Sequence, residues 1–183
     1  MNQVNRILLD MDEVLCDFRK AAIELMPPYS SLDLAAHWVQ WNEGDGTITA
    51  EEFWKHILPH GSKFWENISP LPWMKELIDL VNSVTEDWHL ISSPPPCPEG
   101  YRGKIRWIKN NLGESFDRIC LTPHKHLFAQ DGVILIDDRQ KNCDDFTKAG
   151  GKAILFPSIH NRMSRYAHSP MTYVKSHYLL RRN

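Results

Sequence analysis

Five short, unbroken apolar runs constrain this chain more than any other feature. They are Ile7-Leu8-Leu9, Trp88-His89-Leu90-Ile91, Arg118-Ile119-Cys120-Leu121, Val133-Ile134-Leu135-Ile136 and Ala153-Ile154-Leu155-Phe156. Continuous rather than alternating in polarity, each reads as a strand covered on both faces. Helical spacing fills the gaps between the later ones. Leu71, Met74, Leu77, Ile78 and Val81 share one side of a segment spanning 73–82; segment 104–112 stops at Gly113, and 140–149 stops at Gly150-Gly151. Strand alternating with helix predicts an α/β sandwich built on a parallel sheet with right-handed crossovers.

Ligands of such sheets gather at the carboxyl ends of the strands. The first run is followed by Asp10-Met11-Asp12, the second by Ser92-Ser93, the third by Thr122-Pro123-His124-Lys125 and the fourth by Asp137-Asp138-Arg139. Polar groups therefore converge on one edge. Asp10, Asp12, Asp137 and Asp138 side by side cannot all stay ionised without a counter-charge, and a divalent cation supplies one. Oxygen donors with no cysteine nearby favour Mg²⁺ over zinc. With Lys125 and the Ser92 hydroxyl alongside, the set predicts a phosphate site. Asp10 is placed to attack phosphorus, and Asp12, two residues on, to act as general acid and then base.

Residues 19–69 break the alternation. They are rich in tryptophan (Trp38, Trp41, Trp54, Trp65), carry the exposed-turn sequence NEGDGT at 42–47, and hold one short helical stretch at 50–58. Too long for a loop, the segment reads as a small helical insertion after the first strand, lying over the acid-bearing edge. The proline-rich SSPPPCPEG at 92–100 reads as a rigid loop. Apolar content of 42%, charged content of 24% and a formal net charge of −2 describe an ordinary globular chain with no call for a membrane or nucleic-acid partner. No apolar stretch is long enough to span a bilayer, and the amino terminus lacks a signal-peptide layout. Cys16, Cys97, Cys120 and Cys143 are scattered with no Cys-x-x-Cys pair, as expected of reduced thiols in the cytoplasm.

LLDMDEVL, LISS, LTPHK and LIDDR, in that order and each after a strand-like run, resemble the four motifs of the haloacid dehalogenase phosphohydrolase superfamily. Asp17-Phe18, Ser93-Pro94, KFWENISPLP, KIRWIKNNLG and LF…HN (Leu155-Phe156, His160-Asn161) look like its 5'(3')-deoxyribonucleotidase branch. The resemblance implies a three-layer, Rossmann-like core of five parallel strands in order 5-4-1-2-3, formed by residues 1–18 and 70–183, with residues 19–69 as helical cap. It also implies a Mg²⁺-dependent phosphatase that hydrolyses nucleoside monophosphates, 5'(3')-deoxyribonucleotides among them, through an aspartyl-phosphate. Asp10 would be nucleophile and metal ligand, and Asp12 acid/base and metal ligand through its carbonyl. Asp138 would bind the metal with Asp137 in support. Ser92 and Lys125 would hold the phosphate, Phe18 would stack on the base, Trp38 would be a cap aromatic, and Ser93, Trp38 and Arg139 would bind substrate. The family pattern has glycine after the second Asp, where this chain has Glu13.

Each residue also has a blander role. Asp10 and Asp12 make a polar turn, Asp137-Asp138 a helix cap, and Lys125 a surface lysine with Lys104 as its rival for phosphate. Trp54 and Trp65 read as cap core. His124 and His126 bracket Lys125 without further ligands at zinc spacing. Two rival functions stay open: the same chemistry on a sugar phosphate, another small phosphomonoester or a nucleic-acid 3'-phosphate, or a catalytically silent nucleic-acid binder. The second would use residues 162–183, which carry five of the 21 Lys and Arg residues. The expected partner is a small nucleotide, without membrane or stable nucleic-acid association; homodimerisation is left open.

Overall fold

The computed structural model describes residues 4–26 and 49–179. In chain order its elements are β1 (Arg6–Leu9), α1 (Phe18–Glu24), α2 (Ala50–Ile57), α3 (Gly61–Glu66), α4 (Met74–Val84), β2 (Trp88–Ser92), α5 (Pro98–Leu112), β3 (Ile119–Leu121), β4 (Val133–Asp137), α6 (Gln140–Lys148), β5 (Lys152–Leu155) and α7 (Pro170–Leu179), with short 3₁₀ turns between some of them. Two compact units result. One contains Met1–Leu15, Leu71–Ser93 and Arg118–Asn183; the other contains Cys16–Pro70 and Pro94–Asp117.

The first unit holds the sheet. All four strand pairs are parallel, and the order is β3-β2-β1-β4-β5. That is the expected 5-4-1-2-3 arrangement read from the opposite edge, so the α/β Rossmann-like class holds. Every residue of β4 is buried, as is every residue of β1 after Arg6, which explains why these runs show no polar alternation. Leu8, Ile91, Val133 and Leu135 form one buried face of the sheet, and Phe146 of α6 packs on it. Burying such side chains contributes roughly 1.5–3 kcal/mol each.

The second unit is helical. Asp17 caps α1 by accepting from the Lys20 N–H, and Thr49 caps α2 by accepting from the Glu52 N–H. Its interior is aromatic: Phe18 meets Phe53 and Phe64 with ring centroids 6.2 and 5.7 Å apart. Trp107 of α5 donates its indole N–H to the Ile68 carbonyl at 2.7 Å. α5 starts at Pro98, six residues before the expected start, because Cys97 caps it and proline at the first helical position needs no N–H partner. Residues 94–117, assigned to the core from sequence, group by contact with this unit. Gly103 permits the approach of α5 to α3: a Cβ there would lie 2.4 Å from the Ser62 carbonyl oxygen and 2.8 Å from the Trp65 Cβ. Trp38 lies outside the described residues, as does the NEGDGT turn.

Candidate active site

Strand register brings the acids together. Leu9 of β1 pairs with Ile136 of β4, so the next residues, Asp10 and Asp137, stand side by side at the strand ends. The Asp10 N–H still donates to the Ile136 carbonyl at 2.9 Å, which holds the first acid in the frame of the sheet. Beyond it the chain turns tightly, with the Val14 and Leu15 N–H groups both donating to the Met11 carbonyl. Glu13 sits in that turn at φ +60°, the left-handed conformation that glycine adopts without cost. The loop thus keeps the turn a glycine would make and places glutamate in it.

Lys125 ties the two strand ends together. It opens a 3₁₀ turn, Lys125–Phe128, after β3, and its Nζ lies 2.6 Å from Asp10 Oδ1 and 2.6 Å from Asp137 Oδ2. Only 2% of its side chain is exposed. Burial works against its ammonium, but the charges of Asp10 and Asp137 outweigh that and raise its pKa, so the lysine stays protonated. Lys104, the rival, lies on α5 in the other unit.

Asp137 is saturated by protein donors. Besides Lys125 it accepts from the Arg139 N–H at 2.8 Å and from the Asn142 amide at 3.0 and 3.1 Å. Asp138, next in sequence, turns to other partners: its Oδ2 lies 2.7 Å from His160 Nε2. Asp12 is half-buried beside this group, and Ser92, the last residue of β2, is fully buried. Ser93, Lys125 and Arg139 line a cleft of about 320 Å³ together with His124, Lys141 and Asn142. Phe18 belongs to the aromatic interior of the second unit and is 7% exposed.

The electrostatics leave the acids short of positive charge. Asp10, Asp137 and Asp138 each offer a carboxylate oxygen, and the three atoms lie within 4.8 Å of one another, all on buried residues. Burial first, and the charge of Asp137 second, push Asp10 well above the usual carboxylate range, with Lys125 opposing. The same two causes, in the same order, raise Asp138 to about 8. Lys125 and Arg139 together do not offset three clustered acids. A cation of charge two fits the deficit, and oxygen-only donors suit Mg²⁺. Asp10 and Asp138 would hold it, since Asp137 is already engaged.

Among functional groups, sequence reasoning assigned no role to Asn142, Ser158 or His160. His160-Asn161 stood within a quoted motif, and Asn142 one turn beyond LIDDR. Neither has a spacing that reveals its partner.

A parallel sheet in this order, with paired acids after β1 and β4 and a buried lysine after β3, defines a haloacid dehalogenase-like hydrolase. Solved structures share the fold. A hydrolase from Streptococcus pneumoniae TIGR4 aligns with a TM-score of 0.54 at 13% identity, covering 87% of this chain and 95% of that one. A Bacillus subtilis protein described as a HAD-hydrolase, solved bound to magnesium, aligns at 0.53 with 12% identity, covering 82% and 86%. Within that class the chain belongs to the family described as 5' nucleotidase, deoxy (pyrimidine), cytosolic type C protein, whose model matches residues 2–171. The mouse mitochondrial 5'(3')-deoxyribonucleotidase is 31% identical over 170 residues, covering 85% of this chain and 74% of the mouse protein. The chain is accordingly a phosphoric monoester hydrolase of the 5'-nucleotidase type. No helix among the described residues is long and apolar enough to cross a membrane.

Proposed function

We propose that this phosphatase takes nucleoside monophosphates, deoxyribonucleotides in particular, and works with Mg²⁺ through an aspartyl-phosphate. The observation that carries the reading is the buried Asp10 carboxylate held by Lys125 at the end of β1, beside two further acids. Substrate class is supported by the family match and by the name of the mouse relative.

In this scheme Lys125 grips Asp10 Oδ1 and leaves the other oxygen outside that pair. Asp10 attacks phosphorus, the bond from phosphorus to the ester oxygen breaks, and the Asp12 carboxyl gives its proton to the leaving alkoxide. Asp12, now a carboxylate, takes a proton from water as the water oxygen attacks phosphorus. The bond from phosphorus to Asp10 breaks, releasing inorganic phosphate. Bound Mg²⁺ would offset the carboxylate charge and stabilise charge developing on phosphoryl oxygens. Ser92 and Lys125 hold the phosphate, and Ser93 and Arg139, which line the cleft, meet the substrate. Four cysteines without a disulfide fit work in the cytoplasm.

A panel of 5'- and 3'-nucleotides, sugar phosphates and a 3'-phosphorylated oligonucleotide, assayed with and without EDTA, tests the reading. The expected result is EDTA-sensitive phosphate release, fastest from deoxynucleoside monophosphates. Clear preference for a sugar phosphate or the oligonucleotide overturns the substrate; undiminished release in EDTA overturns the metal.

A further inference from the structure

Asp137 and Asp138 are adjacent in sequence, but different parts of the chain hold them. Asp137 is gripped by Lys125, by the Arg139 N–H and by Asn142 of α6. Asp138 is gripped by the segment that follows β5. There His160 Nε2 lies 2.7 Å from Asp138 Oδ2, and His160 Nδ1 lies 2.8 Å from Ser158 Oγ. The same segment holds the main chain. Asn161 donates its side-chain amide to the Asp138 carbonyl at 2.7 Å and to the Phe156 carbonyl at 2.8 Å, and its Oδ1 accepts from the Met163 N–H at 2.9 Å. The His160 and Asp138 side chains are each only 5% exposed, and Ser158 is buried.

From this arrangement we infer that His160 is a positioning residue for Asp138, and that Ser158 in turn fixes the His160 ring. An ionised Asp138 can only accept, so His160 donates through Nε2–H. Its Nδ1 lone pair is then left to accept the Ser158 hydroxyl proton. The ring orients one carboxylate oxygen, which leaves the other, Oδ1, aimed by a fixed plane rather than free to rotate. Carboxylates that hold a metal depend on such outer partners for their aim, and losing one typically costs 10–100-fold in affinity. Segment 156–163 thus serves the cation site, although it carries none of the acids. This inference rests on the cation reading of the site but not on the choice of substrate.

The test is Mg²⁺ titration of the full chain by calorimetry, without substrate, for wild type, His160→Ala, His160→Gln and Ser158→Ala. His160→Ala is expected to weaken Mg²⁺ binding about 10–100-fold. His160→Gln, whose amide can still donate to Asp138, should recover part of that loss, and Ser158→Ala should weaken binding less than His160→Ala. In turnover, kcat of His160→Ala should recover at saturating Mg²⁺ while substrate KM stays near wild type. Unchanged Mg²⁺ affinity in His160→Ala overturns the assignment; should that variant not fold, unchanged affinity in Ser158→Ala does so. A Gln variant as weak as the Ala variant also overturns it, because the hydrogen bond would then not be what His160 supplies. Wild type that binds no Mg²⁺ removes the cation reading and this assignment together. A preference for some other phosphomonoester would revise the substrate and leave it standing.

Discussion

At the amino edge of the sheet, Arg6 of β1 holds Asp87 through two nitrogens, at 2.9 and 3.1 Å, and His89 approaches the same carboxylate at 3.0 Å. At the carboxyl edge of the same strand, Lys125 holds Asp10 and Asp137 at 2.6 Å each. The geometry is similar and the surroundings are opposite. Arg6 and Asp87 are 41% and 43% exposed, whereas Lys125, Asp10 and Asp137 are at most 6% exposed. Water screens the first group and relieves any mismatch of charge. The second group has no such relief, and its acids outnumber its lysine. One edge carries an ordinary surface ion pair; the other stores an excess of acid that a divalent cation would offset.

The largest effect should come from removing the attacking oxygen. Asp10→Asn is expected to reduce turnover by about 10⁴-fold or more. Its melting temperature without Mg²⁺ should be equal to or above wild type, because a strained buried charge is gone. Activity near wild type would remove Asp10 as nucleophile, and a large drop in melting temperature would show the carboxylate to be a structural support instead.

The two edges should also respond to pH with opposite sign. Asp10 and Asp138 have folded pKa values raised above the unfolded value of about 4, Asp138 to about 8. Their contribution is fully present below pH of about 4 and is lost as pH rises toward 8. Melting in EDTA should therefore lose stability from this edge across that window, and the increment restored by Mg²⁺ should grow with pH. Asp87 is lowered, first by its hydrogen bond from Arg6, so its contribution is present above the unfolded value and lost in acid. An Mg²⁺ increment that shrank from pH 5 to pH 8 would contradict the assignment of unbalanced charge to the carboxyl edge.

Glu13→Gly should gain about 1 kcal/mol or less, by relieving a left-handed residue less the contacts Glu13 makes. Chemical denaturation of the two proteins measures it; a clear loss would mean that the Glu13 side chain supports the turn. Smallest of all, Asp87→Asn is expected to cost about 0.2–1 kcal/mol, less in high salt, with activity unchanged. A cost matching that of a buried pair would erase the contrast between the edges.

Much of the site was legible because β-sheet geometry converts sequence into position. Strands of three to five residues, four of them followed by polar groups, have few ways to be arranged, and parallel pairing puts all their carboxyl ends on one edge. Asp10, Asp137 and Lys125 were readable for that reason. Glu13 was readable only as a departure from a pattern, since a sequence does not state a sign of φ. The extent of α5 was obscured because Pro98 looks like a loop residue until Cys97 is seen to cap the helix. His160 and Ser158 were opaque for a different reason. His160 meets Asp138, which follows another strand, and Ser158 acts only through His160, so no local spacing encodes that meeting.

The chain by itself determined the parallel α/β order, the edge at which chemistry gathers, and the identity of the acids and the lysine, because these follow from periodicity and from what succeeds each strand. The family resemblance already named Asp138 as metal ligand with Asp137 in support; only the tertiary structure shows how differently the two are held. Asp137 is filled by Lys125, Arg139 and Asn142, while Asp138 is turned to His160 and left able to hold a cation. Adjacent residues of the same type differ in role because hydrogen-bond capacity is spent by neighbours in space, and those neighbours are set by packing.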